Sequence, residues 1–291
     1  MIKVIYRGRL GNNLFQYALG RILAEEMEYE LSTRPLPFPA TKDRVEGSSY
    51  SSPEMTILRY HIDIPALIAD KTKRAIILDG WFQFYKYYAP FWARIRHWFS
   101  LSTPPIYPIN INNDDLLIYV RLGDIYAAGW TLKYVFYKTA IEMARPKRIF
   151  ICSDSTNHPF LEQFNEYAPV ILTRDTIFDL NIARLFKKIV LSCSTFSWWA
   201  ALLSEAAEIY FPLAEEGHWS HRSMQPPRCQ QDLRINDQRF IYFYNCAVMS
   251  KNRNPVEAIP LSAARPAFHD LSRFHDNALA FHTQSKAFWF P

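Results

Sequence analysis

The sequence predicts an α/β fold organised around a parallel, doubly wound sheet, and three observations predict it. Short apolar runs alternate with helical stretches from residue 116 to residue 211. The chain opens with a strand, a glycine-punctuated turn and a helix over residues 2–28. Arg121, Asp124, Ser153, Asp154 and residues 194–197 all fall just past the carboxyl ends of expected strands. Ligands of such sheets bind there.

Taken in order, IKVIY (2–6) reads as a strand and RGRLGNN (7–13) as a turn. The helix expected over 13–28 sets Phe15, Ala18, Leu19, Ile22 and Leu23 on one face. The turn is not GxGxxG, so the dinucleotide fingerprint fails. Gly8 and Gly11 serve either turn geometry or the close approach of a ligand. Residues 32–60 are rich in Pro, Ser and Thr and read as irregular, with at most a short helix. AIILD (75–79) is a second strand, and residues 85–99 carry aromatics at helical spacing. The Pro- and Asn-rich stretch 101–115 reads as a linker. It divides the chain into expected units of 1–112, 113–249 and an irregular C-terminal extension, 250–291.

In the second unit, strands are expected at 116–120, 148–152, 170–172 and 187–191, with 207–211 as the last. Helices are expected at 131–144, 159–167 and 178–186.

The 49% hydrophobic and 21% charged composition is that of a globular protein. A net charge of +5 suits an anionic ligand, a nucleic acid or an acidic membrane surface. No basic run, zinc-finger or RNA-binding signature is present, so no nucleic-acid partner is expected. The four cysteines form no CxxC and suggest no disulfide framework; Cys152 and Cys193 read as core residues. No leader is expected before the first strand, and no apolar run of the sequence is long enough to span a bilayer. The expected location is cytoplasmic, which leaves room for peripheral contact with a membrane from that side. His218 and His221 have ligand-like spacing but no third partner nearby, so no metal is expected.

The segment SCSTFSWWAA (192–201) follows the 187–191 strand directly. Ser192, Ser194, Thr195 and Ser197 crowd its turn, and Trp198 and Trp199 open the helix. Such a turn is either a phosphate cradle, using the unpaired N–H groups of a helix start, or a plain N-cap. Polar groups at three neighbouring strand ends favour the cradle. The two tryptophans read as core.

Four segments resemble the α-1,2-fucosyltransferase family. They are GRLGNNLFQYALG (8–20), GWFQFYKYY (80–88), YVRLGD (119–124) and CSTFSWWAALL (193–203). The resemblance covers residues 1–220, and its first and last segments are long and specific. It implies a GT-B-like fold of two Rossmann-like halves with a cleft between them. The implied reaction is metal-free and inverting, and needs no cofactor. Fucose passes from GDP-fucose to the 2-hydroxyl of a galactoside in a surface glycan or polysaccharide. A galactose-containing oligosaccharide is then the acceptor partner. The sequence holds no DxD, the usual metal–diphosphate clamp.

Without a metal, protein groups must stabilise the departing diphosphate, and an arginine fork suits that task. By the resemblance, Arg121 binds the β-phosphate, and Ser194, Thr195, Phe196 and Ser197 add donors beside it. Asp154 accepts from guanine or ribose, or else caps a helix. Asn12 and Gln16 position the donor or the acceptor. Asp124 is either the base for the acceptor proton or a salt-bridge partner of Arg121. A dissociative transition state needs little base, with departing phosphate oxygens then taking the proton. The chain departs from the family where the motif histidine is Tyr119, the second arginine is Leu122 and a glutamine is Asn13. These departures leave two alternatives: a relative using another nucleotide sugar, and a non-catalytic sugar- or nucleotide-binding protein.

Overall fold

The computed structural model describes residues 1–243 apart from 44, 48–54, 60, 61, 71, 73, 102–108, 213–220 and 223–230. The expected extension 250–291, residues 102–108 of the 101–115 linker, and His218 lie outside the described residues.

The N-terminal half contains β1 (Ile2–Val4), α1 (Leu10–Met27), β2 (Leu31–Ser32), β3 (Met55–Leu58), α2 (Ile64–Ala69), β4 (Ala75–Leu78) and α3 (Trp92–Trp98). Its four strands form a parallel sheet in the order β2-β1-β4-β3. Helix α1 is buried almost all round, because Gly11, Ala18, Gly20 and Ala24 let it lie close on its neighbours. A Cβ on Gly20 would stand 2.4 Å from Val4 Cγ2 on β1.

The C-terminal half contains β5 (Leu116–Val120), α4 (Gly123–Ala127), α5 (Tyr134–Ala144), β6 (Ile149–Ser153), β7 (Val170–Ile171), α6 (Thr176–Asn181), β8 (Lys188–Val190), α7 (Thr195–Leu202) and β9 (Glu208–Pro212). After these come β10 (His221–Arg222), β11 (Gln231–Asp232) and β12 (Phe240–Phe243). Six strands form a parallel sheet in the order β12-β9-β8-β5-β6-β7, while β10 and β11 pair antiparallel. This is the doubly wound arrangement, with the strand order reversing between β5 and β8. The parallel sheet expected in the C-terminal half is present, and the N-terminal half carries a second one.

Strands β5 and β6 are buried along their whole length, which is why they read as continuous apolar runs. Leu116, Ile118 and Val120 pack with Phe136, Tyr137, Ala140 and Ile141 on one face. Leu117 and Tyr119 face the other way, into a core they share with α1 and the N-terminal sheet. In that shared core the Phe15 ring lies 5.0 Å from Trp198 and 4.8 Å from Trp199, centroid to centroid. Both tryptophans are fully buried, as the sequence suggested.

Several elements differ from expectation. Strand β12 follows β9, so 207–211 is not the last strand. Strand β3 lies within the stretch read as irregular. Pro90 replaces the first part of the helix expected over 85–99 by two 3₁₀ turns, and α3 begins only at Trp92. The helix expected over 159–167 is 3₁₀ throughout. That expected over 178–186 is α6 followed by a 3₁₀ turn.

Candidate functional site

Strand register assembles the centre of the site. Val120 pairs with Ser153, so the next residues, Arg121 and Asp154, leave the sheet side by side. Arg121 Nη1 donates to Asp154 Oδ2 and Nη2 to Asp124 Oδ1. The Arg121 side chain is only 16% exposed, whereas Asp124 is 61% exposed. The other Asp154 oxygen accepts from Leu122 N at 2.8 Å and Gly123 N at 3.2 Å. Asp154 thus fixes both the guanidinium and the start of α4. Gly123 is needed here, since a Cβ would meet Asp154 Oδ2 at 2.5 Å.

The second strand of the switch point delivers α7. Ser194 is its N-cap, with Oγ accepting from Phe196 N at 3.1 Å. Ser197 is fully buried and bonded to Ser192 and Ser194. The Phe196 ring packs edge-on against Tyr119, 6.1 Å between centroids. Thr195 Oγ1 donates to Asn12 Oδ1 at 2.9 Å, which ties α7 to α1. The hydroxyls of this turn are therefore largely engaged by the protein itself, and the cap reading of Ser194 is realised.

The N-terminal half enters through its own strand ends. Val4 and Leu58 both pair with Leu78, which sets Ile5 and Arg59 beside Asp79. Asp79 is buried and takes hydrogen bonds from Arg7 Nε at 2.5 Å and Arg59 Nε at 3.1 Å. The Arg7 bond, joined by that from Arg59, outweighs burial and holds the Asp79 carboxyl below its usual range. Gln16, expected to position a ligand, has no exposed surface. Its Oε1 accepts from Arg7 N at 3.1 Å and Asn13 Nδ2 at 3.2 Å, and its Nε2 donates to Gly80 O at 2.9 Å. Gln16 therefore ties Arg7 and Asn13 to Gly80 through these three bonds.

Four further residues belong to the site, although they escaped the sequence reading. Gln83 Nε2 donates to Asn12 Oδ1 at 2.8 Å. It follows Phe82, which adopts a left-handed φ of 50°. A bulky residue in that conformation marks a locally constrained backbone. Arg9 lies 3.5 Å from both Asp154 and Asp124. Arg7 is the third. Asp179 is the fourth: its backbone carbonyl accepts from Tyr119 Oη at 2.5 Å, and burial pushes its carboxyl up to about 6. The signal for Arg7 and Arg9 was their place in the turn before α1. Asp179 gave none beyond a carboxylate in an apolar helix.

The departures noted in the sequence have structural answers. Tyr119 is buried, with its hydroxyl engaged by Asp179. Leu122 is fully buried in the core under β5, so that position brings no side chain to the site. Among the described residues, no group of three His, Cys, Asp or Glu side chains forms a metal site, and no helix is long and apolar enough to cross a membrane.

Fold and site together define a doubly wound α/β protein with an arginine–carboxylate cluster at its switch point. No family model matches the sequence, and no curated protein matches it. Among solved structures, the chain is similar to a crystal structure of NodZ alpha-1,6-fucosyltransferase soaked with GDP-fucose, at 14% identity and a TM-score of 0.43, covering 72% of this chain and 93% of that one. A structure of Se-Met fucosyltransferase NodZ from Bradyrhizobium matches with the same identity, coverage and TM-score.

Proposed function

We propose that the protein is a metal-independent, inverting glycosyltransferase that moves fucose from GDP-fucose to the 2-hydroxyl of a galactoside. The observation that carries this reading is the placement of Arg121, gripped by Asp154 and Asp124 at the point where the strand order reverses. The four segments that resemble the family meet around it. A pre-oriented guanidinium is what a diphosphate leaving group needs when no metal neutralises it.

In this reading the acceptor hydroxyl oxygen forms a bond to C1 of fucose while the C1–O bond to the β-phosphate breaks. The electron pair leaves on GDP, where Arg121 receives the developing charge, supported by the start of α7. Inversion places the hydroxyl on the face away from the diphosphate. Asp124, bonded to the phosphate-binding arginine, is then a positioning residue. The transition state is oxocarbenium-like, and the acceptor hydroxyl gives up its proton to water as its oxygen bonds to C1. Asn12 and Thr195 shape the floor between the two halves, and Asp154 positions Arg121.

The test is incubation with GDP-fucose and a panel of β-galactosides in the presence of a chelator. Fucosylated product and GDP are expected. Binding of GDP without turnover would favour a non-catalytic nucleotide-binding protein, and turnover only with another nucleotide sugar would replace fucose as the donor sugar.

A further inference from the structure

We infer that Arg9, from the N-terminal half, is the second phosphate-binding guanidinium of the site, and that it closes on the β-phosphate when a nucleoside diphosphate binds. The inference rests on the donor reading above and names a residue that the reading does not use.

Arg121 is firmly held, because each of its terminal nitrogens is bonded to a different carboxylate. Arg9 is loosely held. Its Nη1 and Nη2 each lie 3.5 Å from Asp154 and Asp124, well beyond the ~2.7–2.9 Å of a good charge-assisted hydrogen bond. Its side chain is 63% exposed, so little packing resists its movement. Asp154 Oδ2 is approached by both arginines, which puts the two guanidinia side by side. In the free protein the two carboxylates screen two adjacent like charges. A diphosphate arriving between the guanidinia supplies stronger anionic partners, and the exposed Asp124 is free to turn to water.

The backbone beneath Arg9 is fixed in advance. Asn12 N and Asn13 N both donate to Arg9 O, at 2.9 and 3.0 Å. Asn13 Nδ2 holds Arg7 O at 3.1 Å, and buried Gln16 holds Arg7 N. Gly8, with φ of 73°, makes the turn between them, where a Cβ would collide with Asn12 and Trp81. Within this loop only the side chain of Arg9 must reorder on binding, so most of the ordering entropy of the loop is already met. The loop holds its guanidinium over the same carboxylates as Arg121, from the opposite half of the protein.

The experiment compares GDP and GMP binding by calorimetry to wild type, Arg9→Ala and Arg9→Lys. Arg9→Ala should weaken GDP by about ten- to a hundred-fold, the worth of one charged hydrogen bond to phosphate, and leave GMP nearly unchanged. Arg9→Lys should recover part of the loss, since it keeps the charge without the fork. An unchanged melting temperature in Arg9→Ala confirms that the effect lies in binding. If Arg9→Ala binds GDP like wild type, or loses GDP and GMP equally, the assignment of Arg9 to the β-phosphate is wrong while the donor reading stands. If wild type binds no GDP, both fall.

Discussion

Asn12 Oδ1 accepts a hydrogen bond from Thr195 Oγ1 at 2.9 Å, joining residues 183 positions apart in the chain. The same oxygen accepts from Gln83. Three of the four segments singled out in the sequence, 8–20, 80–88 and 193–203, therefore meet on a single atom. Arg9 links the fourth, 119–124, through Asp124. The contact depends on the absence of a side chain at position 11.

Gly11→Ala should disrupt this junction. An added Cβ would stand 2.5 Å from Phe196 N and 2.7 Å from Thr195 Oγ1, and the first of these is backbone that cannot rotate away. Overpacking of this kind costs about 1–3 kcal/mol. The urea midpoint should fall, and GDP affinity should fall with it. A variant as stable as wild type would mean that α1 and α7 have room to separate.

Arg121→Ala and Arg121→Lys should both lower transfer by about 10²-fold or more, because neither keeps a two-pronged donor for the diphosphate. Asp154→Asn keeps an acceptor for Leu122 N and Gly123 N but removes the negative charge that holds Arg121, so a smaller loss, about ten-fold, is expected. Rates with saturating GDP-fucose decide the matter. Near-normal turnover in Arg121→Lys would remove the fork from the mechanism.

Asp115→Ala should destabilise the protein without altering nucleotide binding. Asp115 is fully buried at the start of β5, where it accepts from Arg148 Nη2 at 2.5 Å, Arg148 Nε at 3.1 Å and Asn112 N at 2.7 Å. Burial raises its pKa, but these donors outweigh burial and the net shift is downward. A carboxyl held below its unfolded value stabilises the fold above about pH 4, and that contribution is lost as acid titrates the folded group. The expected cost is about 2–4 kcal/mol at pH 7, moderated because Arg148 keeps contact with water. Denaturation at pH 7 and pH 3 should show the difference between variant and wild type shrinking in acid.

Asp179 predicts the opposite slope. Burial raises its carboxyl from the ordinary carboxylate value of about 4 to about 6. Between those values the folded state binds more proton than the unfolded state, so stability declines as pH rises from about 4 to 6. Asp179→Asn retains the acceptor for Arg174 N and removes the charge. It should match wild type near pH 4 and exceed it at pH 7 by about 1–2 kcal/mol, a figure discounted because the carboxylate keeps some exposure to water. Parallel melting curves at both pH values test this, and an identical pH profile would show that Asp179 ionises freely.

The sequence announced the sheet of the C-terminal half because buried parallel strands such as 116–120 and 149–153 are unbroken apolar runs. It also placed Arg121, Asp124 and Asp154 at strand ends, where the register then set Arg121 and Asp154 side by side. It hid β3, a four-residue strand in polar surroundings, and β12, which follows a stretch without helical or strand periodicity. The site was less legible than the fold because a side chain's direction is not written in its neighbours. Gln16 and Ser197 stand in motifs and look like ligand contacts, yet both are fully buried. Arg9 looks like a turn residue, yet it lies across the chain from its own half, against Asp154.

The packing of Phe15 against Trp198 and Trp199 has a consequence for synthesis on the ribosome. Helix α1 is complete at Met27, but α7 ends only at Leu202. At roughly 5–20 residues per second, its partner emerges some ten to thirty-five seconds later. Throughout that interval a helix destined for burial on nearly every side has only its own sheet to cover it. The nascent chain therefore carries an adhesive first segment, and its yield should depend on how quickly translation delivers the second tryptophan.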